Sequence, residues 1–241
     1  AVVYAIAAAF NLKVPDTGAH YPHQERNPWL LVKDFAHCLK KLWGDSLGQI
    51  SLAVTTLFWG AGATLQFIIL KWAEVQLGMA LSSAAKLQGV VAIGIAIGAV
   101  LAARFVSLRG SLSVLRVGIA MGLLVPLMTL ISSLNWAYPL LIIVGGLAGF
   151  FVVPMNALLQ HRGHLLMSAG HSIAVQNFNE NLSVLLMLGL YSLLIQANLS
   201  VNIVIWMFGL FIAAAMTLVL KRHQMNQAKF DSVSLIGKHL T

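Results

Sequence analysis

Residues 174–188 read AVQNFNENLSVLLML, and this stretch decides how the chain is read. Gln176, Asn177, Asn179, Glu180 and Asn181 fall within six positions, and pure hydrocarbon follows. At about 100° per residue these side chains and Ser183 cover roughly 200° of a helix, with Glu180 near the centre. The opposite face and the run after Val184 are apolar. A helix divided in this way has a polar half and a greasy half along its length. An ionisable group inside a membrane span costs about 3 kcal/mol on insertion scales, so such a face must meet protein or water.

The rest of the chain places this stretch in a membrane. Its 241 residues are 59% hydrophobic and only 9% charged, with a mean hydropathy of +0.85. A soluble domain carries about 25% charged residues. Long apolar segments run over 46–70, 87–106, 114–133, 137–160, 171–196 and 201–220. Each has the roughly 20 residues that a helix needs to cross the hydrocarbon core. The alternation of a barrel is absent, and only helices satisfy their own backbone in lipid. The expected class is therefore all-α transmembrane. Ala1 to Phe10 is an apolar run of half a span with no basic segment before it, which is unlike a signal peptide. It is expected to be the end of a transmembrane helix, so the chain reads as starting inside a span.

Charge sorts the connections by side. The stretches 11–45, 104–116, 160–171 and the tail from 221 hold 13 of the 15 Lys and Arg. The connections 71–86, 134–136 and 197–200 hold only Lys71 and Lys86. By the positive-inside rule the first set is cytoplasmic, and so is the C-terminus. The net charge of +8 then records orientation rather than nucleic-acid binding. Within 13–45, Asn27-Pro28 is an N-cap and N1 pair. Trp29, Val32, Phe35, Ala36, Leu39, Leu42 and Trp43 follow at helical spacing, as for a helix lying in the membrane interface. The expected organisation is a span end at 1–12, a central cytoplasmic loop at 13–45, a six-span bundle at 46–220 and a cytoplasmic tail at 221–241. A stub, a long loop and six spans suit the second half of a twelve-span secondary transporter, lacking spans one to five. The pairs Gly94/Gly98, Gly118/Gly122 and Gly145/Gly149 have the GxxxG spacing of closely packed membrane helices.

Candidate binding residues follow from polarity inside the spans. Glu180 is the one acid deep in a predicted span, flanked by Gln176, Asn177 and Asn181. Either it lines a polar pathway, or it accepts hydrogen bonds that hold neighbouring helices. In 51–70, Thr55, Trp59, Gly62 and Gln66 share one helical face. Trp59 would wall an apolar slot or simply pack. In 149–163, Pro154 weakens the helix ladder, and Asn156 and Gln160 lie one turn apart. His161, Arg162, His164 and His171 read as a basic rim, since HxxH without a carboxylate or Cys is a weak metal signal. No metal and no cofactor are expected. Cys38 is the single cysteine, which excludes an internal disulfide. No phosphate loop, nucleotide fingerprint or catalytic Ser-His-Asp order appears, and no catalytic residue is assigned.

Three segments carry a resemblance. LFWGAGATLQFIILKWAEVQLG (57–78), VAIGIAIGAVLAARFVSL (91–108) and GFFVVPMNALLQHRGHLLMSAGHSIAVQNFNENLSVLLMLGLYSL (149–193) are similar to the lysophospholipid transporters of the major facilitator superfamily. NLKVPDTG (11–18) resembles the end of their sixth span. The resemblance implies transport of lysophosphatidylethanolamine and related lysolipids across the bacterial inner membrane. It also implies functional coupling to a cytoplasmic acyltransferase/acyl-carrier-protein synthetase that re-acylates them. Membrane lipids and a lysophospholipid substrate are then the expected partners. The family has Arg where Gln66 stands and an acid where His161 stands. Its Gly-Glu-Asn reads here Asn179-Glu180-Asn181, so Glu180 itself matches. The competing readings are a proton-coupled exporter of drugs or small amphiphiles and, more remotely, an intramembrane acyltransferase using His161 or His171.

Overall fold

A computed structural model describes residues 2–12 and 27–236. Within the described residues the chain is helical throughout its regular structure. It divides into two units, residues 1–34 and 35–241. In the first, α1 (Val2–Asn11) presents Tyr4 and Phe10 on its surface. The helix α2 (Pro28–Gly44) begins here, with the Trp29 backbone N–H donating to Asn27 Oδ1 at 3.1 Å. That bond is the N-cap expected of Asn-Pro. The second unit holds the rest of α2 and six helical segments long and apolar enough to cross a membrane. They are α3 (Gly48–Leu77), α4 (Leu81–Phe105), a span at 108–130, α6 (Leu134–Leu166), α7 (Ala169–Gln196) and α8 (Val201–Lys229). The span at 108–130 is α-helical only in α5 (Leu115–Leu124), with 3-10 turns at both ends. The structure is that of a multi-pass helical membrane protein.

The helices outrun the apolar segments, and the connections expected at 71–86, 104–116 and 160–171 shrink to a few residues each. Apolar runs mark the hydrocarbon, whereas a helix continues until something stops it. For α3 the stop is Gly78 at φ 63°, a left-handed cap that glycine adopts without cost. The helix α6 continues through Pro154 to Leu166, so the proline does not break it. The last helix likewise extends through the expected tail to Lys229.

Glycines set the closest approaches. Gly94 and Gly98 of α4 lie against Ile142, Gly146 and Phe150 of α6, while Gly145 and Gly149 of α6 lie against Val91, Ile95 and Ala99 of α4. A methyl group at Gly98 would run into the Gly146 carbonyl. The α5–α8 crossing repeats the device: a Cβ on Gly122 would stand 2.6 Å from the Ala213 backbone nitrogen. Gly98→Ala is therefore expected to destabilise the bundle by about 1–3 kcal/mol through overpacking. Gly89 on the same helix has open space around it. Gly89→Ala should be neutral or slightly stabilising, by at most about 1 kcal/mol of helix propensity. Thermal unfolding in detergent compares the two.

At the centre, α3 touches α4, α6, α7 and α8. Its Trp72 is fully buried and donates from Nε1 to the Met128 carbonyl at 2.9 Å. That carbonyl, in the 3-10 turn that follows Pro126, also accepts from the Ile131 N–H at 3.2 Å. A smaller core joins α2 to the bundle: Cys38 and Leu42 pack with Leu52, Leu159 and Val175. Cys38, which the apolar stripe of α2 omitted, is therefore part of that core. The least buried span is α7, which places the polar stretch at an edge.

Candidate functional site

The site forms where α3, α6 and α7 meet. On α7, Gln176 and Glu180 are one turn apart, so their side chains lie on the same face. Gln176 Nε2 donates to Glu180 Oε1 at 2.7 Å and to Asn156 Oδ1 of α6 at 3.0 Å. The Thr55 hydroxyl of α3, which donates to the Leu52 carbonyl at 3.2 Å, lies beside the Glu180 carboxylate. Thr55 is buried, whereas Asn156, Gln176 and Glu180 are half-buried. Gln176 thus links Glu180 on α7 to Asn156 on α6, with Thr55 of α3 alongside, and the carboxylate is only half-buried. The Gln176 amide thereby orients the acid between α6 and α7.

The remaining predicted residues separate from this cluster. Asn177 and Asn181 are exposed, and Asn181 Nδ2 donates back to the Asn177 carbonyl at 2.8 Å. The polar arc of α7 is therefore split: its Gln176–Glu180 half faces protein and the rest faces outward beside exposed Phe178 and Leu182. Trp59 is 47% exposed, with its ring edge-on to Phe58 at 5.7 Å, and is not packed between helices. Gln66 is exposed as well, and its backbone carbonyl accepts from Gln88 Nε2 at 2.9 Å. Gln160 is exposed and does not join Asn156. So Thr55, Asn156, Gln176 and Glu180 come together, and Asn177, Asn181, Trp59, Gln66 and Gln160 do not.

One correction concerns the basic rim. Arg162 is not a rim residue, for it is 3% exposed and forms a bidentate pair with Asp45. Arg162 Nε donates to Asp45 Oδ1 at 3.0 Å and Nη2 to Oδ2 at 2.6 Å. Asp45 Oδ1 also accepts from the backbone N–H groups of Leu47 and Gly48, at 3.2 and 2.7 Å. One carboxylate thus caps α3 and ties it to α6, the two helices that supply Thr55 and Asn156. Asp45 stands shortly before an apolar run, where a helix cap is expected, and that was the available signal. Its pairing with a residue 117 positions away left no trace in local pattern.

The link from α2 also reaches this region. Trp43 Nε1 donates to Asn179 Oδ1 at 3.3 Å, and Phe35 stacks edge-on against Phe178 at 5.2 Å. The loop helix is thereby fastened to α7 beside Glu180.

The fold and the site define a class: a polytopic helical membrane protein with a hydrogen-bonded polar cluster between spans. The chain is similar to proteins named as lysophospholipid transporters. Over 197 residues the chain is 47% identical to the Lysophospholipid transporter LplT of Yersinia pestis (strain Pestoides F), covering 81% of this chain and 48% of the relative. The figures are the same for the proteins of that name from Yersinia pseudotuberculosis serotype IB (strain PB1/+) and Yersinia pestis bv. Antiqua (strain Angola). The resemblance of the three segments to lysophospholipid transporters is thus borne out. The chain spans about half the length of the curated relatives it matches. No family model matches it, and no solved structure matches it.

Proposed function

We propose that this chain is the second half of a lysophospholipid transporter of the major facilitator type. It would move lysophosphatidylethanolamine and related lysolipids across the bacterial inner membrane, with the basic ends of its helices and its C-terminus in the cytoplasm. The observation that carries this reading is the Thr55–Asn156–Gln176–Glu180 cluster, in a chain whose similar proteins are named for that transport. A single carboxylate inside a span is costly unless it is paired or functional. Here its neighbours orient it without neutralising it, which suits an ammonium head group arriving at its exposed side. The half-exposed face of α7 beside Glu180 would face the other half of the transporter across the pathway. The lysolipid delivered to the inner leaflet would serve as substrate for a cytoplasmic acyltransferase/acyl-carrier-protein synthetase.

The test is accumulation of labelled lysophosphatidylethanolamine by spheroplasts whose own lysolipid transporter has been deleted. Expression of the full-length protein should restore uptake. Equal uptake with and without the protein would contradict the proposal.

A further inference from the structure

An apolar cleft lies farther along the α3–α7 pair that carries Thr55 and Glu180. A cleft of about 140 Å³ lies between α3, α7 and α8. Its floor is Thr64 and Ile68 of α3, and its walls include Met187 and Tyr191 of α7 and Met207 and Phe211 of α8. Its polar side chains make few demands. The Thr64 hydroxyl already donates to the Gly60 carbonyl at 2.9 Å. The Tyr191 hydroxyl lies 3.5 Å from the Phe67 carbonyl. At the rim, Leu190, Met207 and Phe211 are each about half exposed (52%, 46% and 49%), so the cleft opens sideways between α7 and α8.

Its register relative to Glu180 is what gives the cleft meaning. Met187 follows Glu180 by two turns, about 10 Å along the axis and within about 20° around it. Tyr191 and Leu194 continue the same face, reaching about 21 Å beyond Glu180 along the axis. Between the carboxylate and the cleft, α3 and α7 make their closest approach, with Gly60 packed against Ser183 and Met187. A carboxylate, a tight crossing and an apolar cleft therefore follow one another along one helix pair.

We infer that this cleft is the acyl-chain subsite for the single-tailed lipid whose head group meets Glu180. This rests on the lysolipid reading above and adds to it the place where the tail goes. The occupant is set by three features. The cleft is a narrow slot suited to one hydrocarbon chain, not to a helix. Its rim is half-exposed apolar surface on membrane-spanning helices, where the surrounding solvent is lipid. It lies on the same face of α7 as the acid that a head group would meet, two turns and more along the helix. A chain entering from the side would lie against Met187 and Met207, whose unbranched thioethers adapt to different chain lengths.

The experiment is photolabelling of the full-length protein in native membranes. The probe is lysophosphatidylethanolamine with a diazirine near the end of its acyl chain, and uptake is measured in parallel. The expected adducts fall on Met187, Leu190 or Leu194 and on Met207 or Phe211. Adducts confined to other helix pairs, with uptake intact, overturn the cleft and leave the transport reading standing. Absence of both uptake and adducts overturns both. A second arm fills the cleft from its rim, where the fold tolerates size: Leu190→Trp and Met207→Trp. Uptake of long-chain lysolipids should fall about tenfold relative to short-chain ones, because fewer methylenes can be buried. An unchanged ratio overturns the inference.

Discussion

Glu180→Gln is expected to abolish most lysolipid uptake while leaving the protein folded. The substitution keeps the volume and one acceptor oxygen, so Gln176 retains its partner. What it removes is the charge that an ammonium head group would meet. A hydrogen bond to a charged group contributes about 1.5–3 kcal/mol. At 1.4 kcal/mol per factor of ten, uptake of lysophosphatidylethanolamine should fall about tenfold or more. Gln176→Ala tests the support of the acid rather than the acid itself. It removes the only described bond from Asn156 into the cluster, so it should weaken uptake less than Glu180→Gln does. A Glu180→Gln protein that is folded, present at normal levels and fully active would show that the carboxylate only holds helices together.

The second large effect concerns stability. Arg162→Leu should destabilise the bundle by about 3–5 kcal/mol, because it leaves the Asp45 carboxylate nearly buried and without its cation. The remaining bonds from the Leu47 and Gly48 N–H groups cannot replace a bidentate guanidinium. Asp45→Asn with Arg162→Leu should recover much of the loss. It removes the stranded charge and keeps an oxygen to cap α3. Unfolding of the single and double variants in detergent gives the coupling directly. If Arg162→Leu alone proved neutral, the pair would not be anchoring the ends of α3 and α6.

These expectations separate what local pattern reveals from what it does not. Six spans were legible because burial in lipid demands long apolar runs, and the Asn27-Pro28 start of α2 because capping is local chemistry. The glycine pairs were legible as close-packing devices, although which helices they join was not. Helix ends were misjudged where polar residues continue a helix, as from Lys71 to Leu77 and from Lys221 to Lys229. Within the site, angle and depth found Glu180, Gln176, Thr55 and Asn156. The same argument wrongly grouped Asn177 and Asn181 with them, because it defines a polar face without saying which part neighbouring helices cover. Trp59 and Gln66 lie on the same stripe as Thr55 yet are exposed, so helical spacing alone did not tell which part of the stripe is covered. Arg162 looked like one more rim cation until its distant acid was placed beside it.

The most direct measurement is leaflet-resolved movement of a fluorescent lysophosphatidylethanolamine in proteoliposomes containing the full-length protein. A membrane-impermeant quencher reports how much probe has left the outer leaflet. The proposed function predicts probe protected from the quencher with the wild-type protein, and protection near the protein-free level with Glu180→Gln. Equal protection in protein-free, wild-type and Glu180→Gln vesicles would contradict it.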